Sequence, residues 1–93
     1  KFPAVERDFA FVMKKSTKVG ELIKEIRKIG TGILTKADIF AVYEGDKLEK
    51  GQKSVAIRLT FQDKNATLQD QQVVDVSQKI VESLKKQFGV ALR

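Results

Sequence analysis

The chain has 93 residues, with 18 Lys and Arg against 12 Asp and Glu, a net charge of +6 and 42% apolar residues. That length suits one domain with a modest core. The chain has no Cys and no His. This excludes disulfide scaffolds, thiolate metal sites, cysteine nucleophiles and the commonest general base near neutral pH. No apolar run reaches the roughly 18–20 residues of a membrane span, and no segment reads as a signal peptide. The lack of Cys fits a reducing compartment. The chain opens on Lys1-Phe2-Pro3 rather than Met, as expected of a piece of something longer. The basic excess suggests a polyanionic partner. Scattered Lys with no block of like charge serves solubility equally well.

In chain order, residues 4–13 read as a strand rich in Val and Phe, with Pro3 just ahead of it where a missing N–H does little harm. One face carries Arg7, Phe9, Phe11 and Met13; the other carries Asp8, Ala10 and Val12. Thr17 then offers a side-chain N-cap. Val19, Leu22, Ile23, Ile26 and Ile29 recur at helical steps, and Gly30 is expected to end that helix in the left-handed conformation. Residues 34–43 read as a second strand. Phe40 and Val42 are expected on one face, and Ala37, Ile39, Ala41 and Tyr43 on the other. After a connection over 44–53, residues 54–61 alternate Val55, Ile57, Leu59 and Phe61 with Ala56, Arg58 and Thr60. A polar turn over 62–66 leads to Thr67-Leu68-Gln69-Asp70, which has the form of a capping box with Asp in the last place. Val73, Val76, Ile80, Leu84 and Phe88 form the buried stripe of the helix that follows. Gly89 stops it, and residues 90–92 add a short strand.

The order is βαββαβ, an α+β arrangement. Each helix carries one apolar stripe and must pack on a sheet. The matching architecture is the ferredoxin-like split βαβ, a four-stranded antiparallel sheet with two helices on one face. The face under the helices is expected to hold Phe9, Phe11, Phe40, Val42, Val55, Ile57, Leu59 and Phe61. The open face would hold Asp8, Ala10, Val12, Ile39, Ala41, Tyr43, Ala56, Arg58 and Thr60.

A catalytic reading has little to stand on. Ser16, Ser54, Ser77 and Ser83 have no His to activate them, so no catalytic residue is assigned. Glu6 and Asp8 flank Arg7 and read as a solvated or ion-paired surface. Glu44, Asp46, Glu49 and Asp63 lack the spacing of a calcium loop, and no metal site is assigned. A P-loop and a dinucleotide fingerprint are absent. Asn65-Ala66-Thr67 matches a glycosylation sequon, but Thr67 is better explained as a helix cap. Binding fits better. An open sheet face with an aromatic can stack an unpaired base, though pattern alone favours Tyr43 as a strand-end residue packing on its neighbours.

Several segments are similar to those of a known family. The run from Phe2-Pro3-Ala4-Val5-Glu6-Arg7-Asp8-Phe9 through Val12 resembles the opening of the ferredoxin-fold anticodon-binding domain, which closes the beta chain of bacterial phenylalanyl–tRNA synthetase. Phe40-Ala41-Val42-Tyr43-Glu44-Gly45, the run from Gly51-Gln52-Lys53-Ser54 to Leu59, Thr67-Leu68-Gln69-Asp70 with Val73, and Gly89-Val90-Ala91-Leu92-Arg93 follow in the family's order. The similarity covers nearly the whole chain. It implies a parent enzyme that joins phenylalanine to tRNA-Phe with ATP and Mg²⁺ in the cytoplasm. That parent would be an (αβ)₂ heterotetramer whose alpha subunit holds the catalytic site. This domain would be a single non-catalytic module over 1–93, without a cofactor of its own, reading the anticodon loop of tRNA-Phe.

The resemblance also implies site residues. Tyr43 would stack an anticodon base, and Ser54 would hydrogen-bond beside it. Lys53 and Arg58 would meet phosphates or base edges. Ala41 stands where family members often carry an acidic residue, whose carboxylate could accept from the N1–H and N2–H₂ of guanine. Ala41 cannot, and strand parity places Asp38 on the opposite face. Gln52 is a smaller departure, at a position where a basic or aromatic residue is common. The alternatives are an open sheet face that docks another protein, or a ferredoxin-like domain that holds a small ligand. Lys14-Lys15-Ser16-Thr17 lacks the glycine an anion-cradling loop would need.

Overall fold

The computed structural model describes residues 2–45 and 47–93. The elements run β1 (Val5–Lys14), α1 (Val19–Ile29), β2 (Leu34–Tyr43), β3 (Gln52–Phe61), α2 (Asp70–Phe88) and β4 (Ala91–Leu92). The sheet has four strands in the order β2-β3-β1-β4, and every neighbouring pair is antiparallel. This is the ferredoxin-like architecture expected from the sequence.

The central pair β1 and β3 is in continuous register, from Val5 opposite Phe61 to Lys14 opposite Gln52. Alternation along these strands sends Phe11, Met13, Val55, Ile57, Leu59 and Phe61 to one side, where all are buried. Leu22 and Ile26 of α1 and Val73, Ile80, Val81 and Leu84 of α2 complete the same core cluster. Both helices therefore cover one face. Each such side chain contributes about 1.5–3 kcal/mol on full burial, so the helix stripes and this strand face hold the domain together.

The helix ends differ from the expected ones. The cap of α1 falls one residue beyond Thr17, on Lys18, with no side-chain cap. Thr17 sits in the preceding turn, its N–H donating to the Lys14 carbonyl and its own carbonyl accepting from Lys53 Nζ. At α2 the cap shifts from Thr67 to Gln69, whose N–H donates to Gln72 Oε1 at 2.8 Å. The physical reason lies just before the helix. Leu68 is buried in the same core cluster as Val73, the N′ and N4 positions of a hydrophobic staple. That burial fixes where the helix can begin.

Gly30 is not left-handed; its φ is −78°. It is required for space, because a Cβ there would lie 2.5 Å from the Leu34 Cβ. Gly32 takes the positive φ instead, while Gly89 stops α2 as expected and does so in the left-handed region at φ 67°.

The largest departure is in β2. Its register on β3 shifts between Ile39 and Ala41, which pair with Ile57 and Ala56. Phe40 is the extra residue of a bulge, and a bulge changes which side chains share a face. Ala37 and Ile39 pair with Leu59 and Ile57 and so lie on the helix side, not the open side. Phe40 lies on the open side with Arg58 above its ring and is 52% exposed, not covered by a helix. Val42 keeps the expected parity opposite Val55 but stays 58% exposed. Asp38 pairs with Arg58, which places its carboxylate on the open face rather than behind it.

Candidate nucleic-acid interface

Three rungs cross the open face. The first holds Asp8, Arg58 and Asp38, with Phe40 beside them. The second is Ala10, Ala56 and Ala41. The third is Ala91, Val12, Ser54 and Tyr43. None of these three middle-rung side chains is taller than a methyl group. The result is a low shelf between two raised borders, with aromatic rings near one edge.

Tyr43 stands at the end of β2 and is 45% exposed. It is not a core residue. Gly45 sets its position: a Cβ on Gly45 would fall 2.7 Å from the Tyr43 hydroxyl oxygen and 2.9 Å from Cζ. The ring therefore lies against the Gly45 backbone, and any larger residue there would push it away. Ser54 faces Tyr43 across the β2–β3 pair and is only 5% exposed. Ala41 is exposed on the neighbouring rung.

The expected cations sit differently from one another. Arg58 is on the open face but engaged. Its Nε and Nη2 donate to the two carboxylate oxygens of Asp8 at 2.8 and 3.0 Å, and its guanidinium carbon lies 4.8 Å from the Phe40 ring centroid. The hydrogen bond and charge of Arg58 lower the Asp8 pKa, and Asp8 in turn raises that of Arg58. This is the ion-paired reading of Asp8. Lys53 points the other way. It pairs with Met13 on the helix side, and its Nζ donates to the Thr17 carbonyl at 3.0 Å. The structure thus groups Tyr43, Ser54 and Ala41, keeps Arg58 one rung away, and separates Lys53 from them.

Besides Asp38, two residues join the face that sequence reasoning did not place there. Phe40 arrives through the bulge, which alternation alone does not signal. Arg93 arrives through β4: its guanidinium carbon lies 5.7 Å from the Tyr43 ring centroid. Its parity was legible once Ala91 is drawn opposite Val12.

Among the described residues no three His, Cys, Asp or Glu side chains are grouped to hold a metal ion; Asp46 lies outside the described residues. No helix is long and apolar enough to cross a membrane among them. An apolar depression of about 310 Å³ between β1 and α2, lined by Phe9, Val73, Val81 and Leu92 among others, shares no residue with the Tyr43 face.

The model of the ferredoxin-fold anticodon binding domain matches residues 1–93. The chain is 59% identical over its full length to the phenylalanine–tRNA ligase beta subunit of Bdellovibrio bacteriovorus. It is 43% and 41% identical, again over its full length, to the proteins of that name from Oceanobacillus iheyensis and Shewanella oneidensis. It spans 11–12% of the length of these relatives. The open face with its single tyrosine, the βαββαβ order and the match along the whole chain converge: this chain belongs to the ferredoxin-fold anticodon binding domain family.

Proposed function

We propose that this chain is a single non-catalytic module of a longer phenylalanine–tRNA ligase beta chain, and that it holds the anticodon loop of tRNA-Phe against its open sheet face. The observation that carries this is Tyr43, a half-exposed ring at the border of the alanine shelf, held in place by Gly45. Unpaired bases of an RNA loop stack on such rings, and the low middle rung leaves room for a flat group beside it. Ser54 supplies a hydroxyl directly opposite Tyr43.

Arg58 contributes as a fixed border, because Asp8 already takes two of its donors. Lys53 secures the turn before α1 and is not part of the RNA face. Positive charge elsewhere draws in the RNA backbone in a salt-dependent way.

The ATP- and Mg²⁺-dependent chemistry, the (αβ)₂ assembly with an alpha subunit and the cytoplasmic setting belong to the whole enzyme. We take ATP and Mg²⁺ to be held elsewhere in the parent enzyme, since the sequence of this domain has no phosphate loop.

The test is a titration of the chain with an anticodon stem-loop of tRNA-Phe, followed by NMR to millimolar concentration, with an anticodon-swapped loop as control. Tyr43 is the only tyrosine, so its ring protons report on the site without ambiguity. Stacking shifts them on binding. Tyr43→Ala weakens binding by about 1–3 kcal/mol and leaves the fold intact. Equal affinity for both loops, or an unaltered Tyr43 ring, overturns the reading.

A further inference from the structure

Arg93 is bound at both its ends. Its backbone N–H donates to the Ala10 carbonyl at 2.8 Å, which continues the pairing of β4 with β1 and aligns Arg93 with the Ala10–Ala56–Ala41 rung. Its guanidinium lies over the Tyr43 ring. β4 and β2 are the two opposite edges of the sheet, so side chains from both edges meet across the face. The methyl groups of Ala10, Ala56 and Ala41 beside that line keep the face low enough for this reach.

The contrast between the two guanidiniums carries the inference. The Arg93 guanidinium carbon lies 5.7 Å from the Tyr43 ring centroid, a cation–π contact; a base held between two planes needs about 6.8 Å, so Arg93 must lift to admit one. The Arg58 guanidinium carbon lies 4.8 Å from the Phe40 centroid, and Arg58 is also tied to Asp8 by two hydrogen bonds. No side-chain hydrogen bond or ion pair of Arg93 is present among the described residues. Arg58 is tethered on its ring by Asp8, whereas Arg93 rests on its ring with an exposed side chain and no such tether, so it can lift.

We infer that Arg93 is the second wall of the base site: the nucleobase that stacks on Tyr43 enters between that ring and the Arg93 guanidinium and is clamped from both sides. The inference rests on the reading of Tyr43 as the stacking platform. Guanidinium planes stack on unpaired bases as aromatic rings do, and Arg is suited to this where Lys is not, because its charge is spread over a plane. Without RNA, Arg93 shields the ring by a cation–π contact. The clamp supplies affinity, and discrimination between bases falls to the shelf and Ser54 beside it.

The experiment is a double-mutant cycle on the same chain and stem-loop, read by NMR at matched salt, using Arg93→Ala, Arg93→Lys, Tyr43→Ala and the Arg93→Ala/Tyr43→Ala pair. Arg93 is exposed, and equal melting temperatures check that the fold is unchanged. Arg93→Ala is expected to weaken binding roughly 2- to 30-fold, the range of a cation–π contact. In the Tyr43→Ala background the same change is expected to have less than about half that effect on a logarithmic scale, and Arg93→Lys is expected to recover little. An Arg93→Ala loss that is equal with and without Tyr43, or is restored by Lys, identifies a phosphate contact and overturns the clamp. No loss at Arg93 with a clear loss at Tyr43 overturns the clamp and leaves the stacking reading standing. No loss at Tyr43 overturns the stacking reading, and the clamp with it.

Discussion

At Gly45 the absence of a side chain does more than free the backbone. The glycine lies so close to Tyr43 that an added methyl would overlap the ring's hydroxyl end. Gly45→Ala should therefore displace Tyr43 without touching the core, since neither residue belongs to it. The expected outcome is weaker binding of the anticodon stem-loop, approaching the loss at Tyr43→Ala of about 1–3 kcal/mol. The melting temperature should stay close to that of the parent chain, and calorimetric titration beside thermal denaturation checks both. The Phe-Ala-Val-Tyr-Glu-Gly run was visible as a unit in the sequence. That its last residue holds the ring of its fourth was not, because close approach is a property of folded backbone.

At the scale of the elements, the bulge in β2 sets the character of the open face. By placing Phe40 and Asp38 beside Arg58, it builds a rung in which charge is largely satisfied within the sheet. Asp8 on β1 supplies the bidentate partner. The sign of the pH effect follows. Asp8 is held below its ordinary value of 3.8 by the hydrogen bond and charge of Arg58. It contributes stability that is fully present above that value and is lost as pH falls through its lowered folded pKa. Asp8→Asn is expected to be slightly less stable at neutral pH, and the gap to the parent chain should close as pH drops below 3.8. Denaturant unfolding at a series of pH values measures it. Both partners are well exposed, so the effect is small and should shrink in salt.

For the molecule as a whole, the core and the proposed recognition face lie on opposite sides of one sheet. The core lies between the helices and the inner face, whereas the shelf, Tyr43 and Arg93 lie on the outer one. Leu84 is fully buried in α2. Leu84→Ala is expected to cost about 2–5 kcal/mol, a large share of the stability of a domain this small. Urea unfolding gives that number, and RNA affinity per folded molecule should not change. The net charge of +6 acts at this scale too, as an attraction for RNA that is not confined to one face.

The sequence by itself determined the element order, the two apolar stripes, the alternating β3 strand and thus the ferredoxin-like fold, because each depends on local periodicity. Tyr43, Ser54 and Ala41 were also legible, through the resemblance and through pairing parity that the bulge happened to preserve beyond Phe40. The tertiary structure alone decided the faces of Ala37, Asp38, Ile39 and Phe40, since one extra residue in a strand reverses parity and leaves little trace in composition. It also decided which cations are engaged. Lys53, Arg58 and Arg93 are alike as letters, but their partners come from Thr17, Asp8 and Tyr43, residues distant in sequence that only folding brings within reach.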